Sequence, residues 1–227
     1  MIIRRKKNSE NTHPEPLEIS AESAKGKSPI NEVPFHELEQ IVEARHHNPH
    51  GILGAHIHNG HVIFRVVKPF ALSVVITGLD FRLPLTHEHR GVWVGALEVD
   101  QIPDYRIESR FGENVFVNDD PYRFMPCIGE LDLHLIHEGR HEQLADALGA
   151  KVLNFPSVLG EVHGTAFTVW APNAQGIQVV GDFNSWDGTS HCMRSLGASG
   201  VWELFIPDVH HGFTYKFRIT DRWGHQT

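Results

Sequence analysis

Residues 61–69 read HVIFRVVKP and residues 164–172 read GTAFTVWAP, so that Phe64, Val66 and Pro69 recur as Phe167, Val169 and Pro172. A second pair follows in the same order. Residues 91–107, GVWVGALEVDQIPDYRI, parallel 200–217, GVWELFIPDVHHGFTYKF, sharing Gly-Val-Trp, then Ile-Pro, then a tyrosine before a basic residue. Matching segments in matching order mean that one folding unit has been used twice. Both first segments end at a proline, which has no N–H to offer a strand ladder and so closes the strand. Strand-period segments at about 8 to 12 residue intervals, separated by Gly, Asn, Asp and Pro, predict an antiparallel immunoglobulin-like sandwich for each unit. The 227 residues hold two such units of about 100 residues, each able to bury a workable core. The expected fold is mainly β: two tandem immunoglobulin-like β-sandwich domains with a short N-terminal helix and a helical connector.

The rest of the chain divides around this repeat. Residues 1–33 mix the basic run Arg4, Arg5, Lys6 and Lys7 with Ser, Pro and Glu and have no apolar period, which predicts a disordered, solvated tail. Phe35, Leu38, Ile41 and Val42 recur at helical spacing until Pro49, Gly51 and Gly54 end the pattern. The expected boundaries are a first sandwich over 34–126, a connector over 127–153 with a helix over 142–148, and a second sandwich over 154–227, truncated at its C-terminal end.

Composition excludes several partner classes. Twenty-eight acidic against 20 basic residues, a formal charge of −8, lack the cationic face that nucleic acid requires. No apolar run approaches the roughly 20 residues of a membrane helix, and no apolar segment follows the basic start as in an export signal. A cytoplasmic protein is expected. Cys127 and Cys192 are too few for a disulfide framework and read as reduced thiols, with a single bridge between them as the alternative.

Strand parity in the second unit separates core from surface. Trp202 shares a face with Leu204 and Ile206, and Trp93 holds the matching core place in the first unit. Tyr215, Phe217 and Ile219 form another apolar face, which turns Lys216, Arg218 and Thr220 to solvent. Trp186 follows Asn184 and Ser185 in a turn, and Trp223 follows Asp221 and Arg222 in another, so neither has a core position to fill. Two loop indoles and an upright ammonium suit a pyranose ring: its C–H face stacks on indole, and its hydroxyls need directional partners such as Lys216, Asn184 and Asp187. A competing motif lies in the connector, where His137, Glu138 and His141 spell H-E-x-x-H, the zinc pattern of a metallohydrolase. Gly139 inside it and the lack of a third ligand in a suitable helix weigh against a metal, and no cofactor is expected.

The segments VWAPNA (169–174), VVGDFNSWDG (179–188), MRSLGASGVWELFIP (193–207) and YKFRITDRWG (215–224) resemble the carbohydrate-binding module of glycogen branching enzymes, which also serves as the glycogen-binding module of AMP-activated kinase β subunits. NPHGILGAH (48–56), NDDPYRFMP (118–126) and GELDLHLIHEGRHEQLADALGA (129–150) are similar to the extra N-terminal module and connector of long bacterial branching enzymes, which kinase subunits lack. The resemblance implies an α-glucan partner, either glycogen or a linear maltooligosaccharide, with Trp186 and Trp223 stacking and Lys216 reaching a hydroxyl. It also implies that the retaining two-carboxylate chemistry, which moves α-1,4-glucan segments to α-1,6 branch points, belongs to an α-amylase-type barrel beyond residue 227, in cis or as a separate chain. No catalytic residue is then expected within these 227 residues. The first unit has TGLDFRLPL (77–85) where the second has GDFNSW and is expected to be a spacer. A stand-alone glycogen-binding or regulatory protein is the alternative function, with the zinc hydrolase more remote.

Overall fold

A computed structural model describes residues 29–227 together with the two-residue strand β1 (Leu17–Glu18). The tail expected over 1–33, with its basic run, falls for the most part outside the described residues. Helix α1 (Phe35–Val42) comes first, as the apolar spacing requires, and buries Leu38 and Ile41. The first sandwich follows with β2 (Gly54–His58), β3 (His61–Val67), β4 (Ser73–Thr77), β5 (Phe81–Pro84), β6 (Thr86–His89), β7 (Val92–Leu97), β8 (Arg106–Phe111) and β9 (Asn114–Asn118). Its two sheets run β2-β3-β7-β6 and β1-β5-β4-β8-β9. The connector carries α2 (Glu130–His137) and α3 (Leu144–Ala147). The second sandwich then uses β10 (Gly149–Phe155), β11 (Val162–Trp170), β12 (Ala174–Gly181), β13 (Arg194–Ser195), β14 (Val201–Pro207) and β15 (Tyr215–Asp221), arranged as β10-β11-β14-β13 and β12-β15. Its first strand starts at Gly149, inside the stretch read from sequence as connector.

The repeat holds at the level of strand register. Val66 faces Trp93 across β3 and β7, and Val169 faces Trp202 across β11 and β14. Ile76 faces Ile107 across β4 and β8, as Val179 faces Phe217 across β12 and β15. Both core tryptophans are buried, and each indole N–H donates to a backbone carbonyl, Trp93 to Lys68 and Trp202 to Ala171. A buried Nε1 needs such a partner, and the two copies found it in the same way. Phe64 and Phe167, the repeated phenylalanines, are likewise fully buried.

The two cores are not separate. One apolar cluster joins Phe167, Ile177, Val179, Trp202, Leu204 and Ile206 of the second sandwich to Leu38, Ile41, Ile52, Leu53, Val67 and Tyr122 from the first half of the chain. Helix α1 belongs to both: Leu38 and Ile41 enter this cluster, while the Glu39 carboxylate holds His89 and Arg90 of the first sandwich at 2.5 and 3.0 Å. Its C-terminal end lies so close to β12 that a Cβ on Gly176 would come within 2.3 Å of the Ala44 carbonyl oxygen, so only glycine fits there. Tyr122 completes the junction, its hydroxyl accepting from the Cys192 N–H at 2.9 Å and donating to the Ser190 carbonyl at 3.2 Å.

Parity assigned only one face of β14 to the core, yet the whole strand is buried. The second face lies under the connector, where Phe205 packs on Phe124 and Phe155. Between them Glu203, with no exposed surface, pairs with Arg194 directly opposite on β13; Nε and Nη2 donate to one carboxylate oxygen at 3.0 and 2.7 Å. The other oxygen accepts from the Cys127 N–H, and Arg194 Nη1 donates to the Phe124 carbonyl. The pair therefore fastens the connector to the second sandwich. Cys127 and Cys192 are free thiols, each pushed up to about 12 chiefly by burial, and no bridge joins them. No helix among the described residues is long and apolar enough to cross a membrane.

Losing one partner of a buried ion pair strands the other charge, which costs about 3–5 kcal/mol. Glu203→Ala is therefore expected to lower the urea unfolding free energy by about that amount, and a loss within the scatter of surface variants would show that the pair is not the fastening.

Candidate functional site

The turn between β12 and β13 is built by Asn184. Its Oδ1 accepts from the Gly181 N–H at 2.9 Å, and its Nδ2 donates to the Val179 carbonyl at 2.9 Å and to His191 Nδ1 at 3.0 Å. The side chain expected to meet a ligand is thus engaged on every side, and what it does is shape the turn. Ser185 and Trp186 follow with φ of 54° and 63°, a conformation that bulky residues avoid and that surrounding contacts must enforce. The enforcement is visible: the Trp186 N–H donates to the Gly181 carbonyl, its Nε1 donates to Asp182 Oδ1 at 3.2 Å, and its carbonyl accepts from Arg218 Nη2 at 3.0 Å. The indole remains 38% exposed.

The chain then crosses the outer face of β12. At Gly188 a Cβ would stand 2.6 Å from the Gln178 Cβ and 2.9 Å from Val180 Cγ1, so the crossing needs glycine, and it buries Gln178 and Val180. This corrects the parity reading of β15, whose outward residues were expected to meet solvent. Lys216 does, but Arg218 is half-buried and Thr220 is buried, because the turn and the bridge from Thr220 to Gln226 cover the sheet. The Lys216 ammonium has no hydrogen-bond or ion-pair partner among the described residues.

Trp223 occupies the turn after β15. Asp221 accepts from the Trp223 and His225 N–H groups at 2.8 and 2.9 Å; partial desolvation raises its carboxyl, and these two amides outweigh that and hold it below its usual range. The Arg222 guanidinium lies 4.2 Å over the Trp223 ring, a cation–π contact that covers one face of an indole otherwise 67% exposed. No pattern in the sequence announced that contact. Asp221 is about 17 Å along the strand from Lys216, at 3.3 Å per residue. Lys216, Trp186 beside Arg218, and Trp223 thus string out along β15.

Asn184 and Asp187 fall elsewhere, on the wall of a cleft of about 600 Å³ between the two sandwiches. Asp187 Oδ1 accepts from the Thr189 N–H and hydroxyl. The five residues expected to share one patch are therefore split, with Lys216 on the outer face of β15, Trp186 held to Arg218 of that strand, Trp223 in the turn after it, and the amide and carboxylate at the cleft.

The H-E-x-x-H pattern does not form its zinc geometry. Helix α2 ends at His137, Glu138 is its C-cap and Gly139 turns left-handed at φ 67°, so the two histidines do not share a helical face. His137 instead contacts the Ala198 carbonyl and His141 contacts Asp132. The helix expected over 142–148 is only the single turn α3, while α2 is a helix that the sequence reading did not place.

Residues 35–122 match the family model "alpha-1,4-glucan branching enzyme GlgB, N-terminal domain", and residues 147–227 match "Carbohydrate-binding module 48 (Isoamylase N-terminal domain)". Among curated proteins, the 1,4-alpha-glucan branching enzyme GlgB of Thermobifida fusca (strain YX) is 52% identical over 186 residues, covering 81% of this chain and 25% of that protein. The enzyme of the same name from Kitasatospora aureofaciens is 46% identical over 202 residues, 89% of this chain and 26% of that protein. The chain thus spans about a quarter of the length of the curated relatives it matches. Among solved structures, a pullulanase type I from Bacillus subtilis str. 168 complexed with maltose aligns over 77% of this chain and 24% of that one at 15% identity, with a TM-score of 0.29, too loose a match to carry argument.

Two consequences follow for the turn. Asn184→Ala leaves the Gly181 N–H and Val179 carbonyl without partners and is expected to cost about 1–3 kcal/mol, read from the urea midpoint; an unchanged midpoint would mean that water replaces the amide. Burial holds the His191 ring down at about 3, with Lys68 acting in the same direction and Asp187 against it; burial and Arg194 do the same for His50. Both rings bind protons more weakly folded than unfolded, so their contribution is complete above pH 6.5 and is lost as pH falls towards 3. The melting temperature is expected to drop across that window, and to drop less in His50→Leu; parallel profiles for the two proteins would remove His50 from the account.

Proposed function

Because the chain corresponds to the N-terminal region of the 1,4-alpha-glucan branching enzymes, we propose that the outer face of β15 holds α-glucan for a catalytic barrel that transfers α-1,4-linked segments to α-1,6 branch points. The observation that carries this reading is Lys216 on β15, Trp186 held to Arg218 of the same strand and Trp223 in the turn after it: two exposed indoles and an ammonium with no partner among the described residues. Indole faces suit the C–H face of a pyranose, and the ammonium supplies a hydrogen bond to a hydroxyl. Their spacing suits an extended oligosaccharide lying along β15 better than a single ring. The role of this region is binding and positioning, and a part in glycogen synthesis supports a cytoplasmic protein.

Trp186→Ala and Trp223→Ala are each expected to weaken glycogen co-sedimentation by about tenfold, equivalent to 1.4 kcal/mol, without shifting the melting temperature, since neither ring is in the core. Wild-type affinity should rise from maltose to maltoheptaose. Undiminished binding by both variants would rule this face out.

A further inference from the structure

The cleft between the sandwiches is a second place where the chain presents unmatched polar groups beside aromatic rings. Its volume of about 600 Å³ is that of a small-ligand site. One wall is the face of β8 that carries Ile107, Ser109 and Phe111, and the facing wall is the 183–191 turn with Asp208 and Phe213 after β14. Ser109 is 2% exposed, and its hydroxyl has no hydrogen-bond partner. The hydroxyl itself has almost no accessible surface, so it lies beneath the cleft wall rather than opening into it. Lys68, half-buried in the same cleft, has no carboxylate within ion-pair reach and no hydrogen bond on its ammonium among the described residues. Asp208 presents an exposed carboxylate with no partner among those residues.

Two further features mark the rim. Phe70 is 91% exposed with φ of 62°, and Asp208 has φ of 61°. With Ser185 and Trp186, four of the seven non-glycine residues at positive φ among the described residues thus belong to the β15 face or to this cleft. Residues are held in that region only where surrounding structure enforces it, and such positions gather at ligand sites. Phe213, also partly exposed, lines the same cleft.

We propose that this cleft is a second carbohydrate site, distinct from the β15 face, in which a short neutral oligosaccharide stacks on Phe70 and Phe213 and exchanges hydrogen bonds with Lys68, Asp187 and Asp208. The charges select the class. Asp119 is engaged by Arg106 and Arg123, and Asp120 by the Tyr105 hydroxyl and the Tyr122 N–H. The Asp187 and Asp208 carboxylates that remain outnumber the single lysine and give phosphate esters and other anions no net cationic pull, while carboxylates accept readily from sugar hydroxyls. An apolar ligand would leave the Lys68 ammonium still unmatched. That the oligosaccharide is an α-glucan rests on the function proposed above; that the cleft takes a neutral sugar rests on its own groups.

The test is a titration of the isotopically labelled full chain with maltoheptaose, followed by amide and indole resonances. Saturable shifts are expected at the Phe70, Asp187 and Asp208 amides as well as at the Trp186 and Trp223 indoles, with the cleft set persisting in the Trp186→Ala/Trp223→Ala double variant. Lys68→Met removes a half-buried ammonium that has no partner among the described residues, so the free protein should melt no lower than wild type while its cleft shifts weaken by about tenfold; a merely structural Lys68 would not combine those results. Phe70→Ala, at an exposed ring, should also weaken the cleft set and leave the indole set alone. Cleft shifts missing in the wild type, unaffected by both variants, or reproduced by inorganic phosphate would overturn the second site even if the indoles respond. Indoles that stay silent while the cleft responds would overturn the β15 face and leave the cleft standing.

Discussion

The Arg194–Glu203 pair is the interaction around which the second half of the chain is arranged. An isolated carboxylate with no exposed surface would be driven to protonate, and Glu203 stays paired because Arg194 lies directly opposite it in register on β13. The pair leaves one carboxylate oxygen and one guanidinium nitrogen to spare, and both are used on the backbone of the connector. A two-residue strand, a buried strand and a run of connector are thus tied by two side chains. The ring cluster of Phe124, Phe155 and Phe205 then closes over the pair and keeps water from it.

The duplicated segments made the scaffold legible. Phe64 and Phe167, Val66 and Val169, and Trp93 and Trp202 occupy equivalent positions in register, because an alternating pattern that must bury one face tolerates no slip. Parity failed where a second layer covers a strand. Glu203 and Phe205 look outward from sequence and are buried under a connector whose packing is nonlocal, and Thr220 is covered by a bridge to Gln226 that strand alternation cannot express. Helix α2 escaped notice because its histidines and acids blur the apolar period, although Ile136 is buried.

The candidate site was legible residue by residue but not in its arrangement. Turn position alone exposed Trp186 and Trp223. It did not show that Asn184 is spent within the turn, that Asp187 lines the cleft, or that Arg222 backs Trp223, since each depends on which way a loop folds after it leaves the sheet. The two copies differ at this point as well. After β12 the second unit makes the turn that carries Trp186, whereas after β4 the first unit continues into β5, so only one copy has a projecting loop there.

Tyr122 links these levels. Its hydroxyl takes the place that a neighbouring strand or a water would otherwise fill, serving the Cys192 N–H and the Ser190 carbonyl from the far side of the module boundary. Since both groups belong to the second sandwich, that sandwich meets its backbone hydrogen-bonding needs only once the first has docked. The unit was used twice, but the second copy is not self-contained: two of its backbone groups are served by a side chain that the first half supplies.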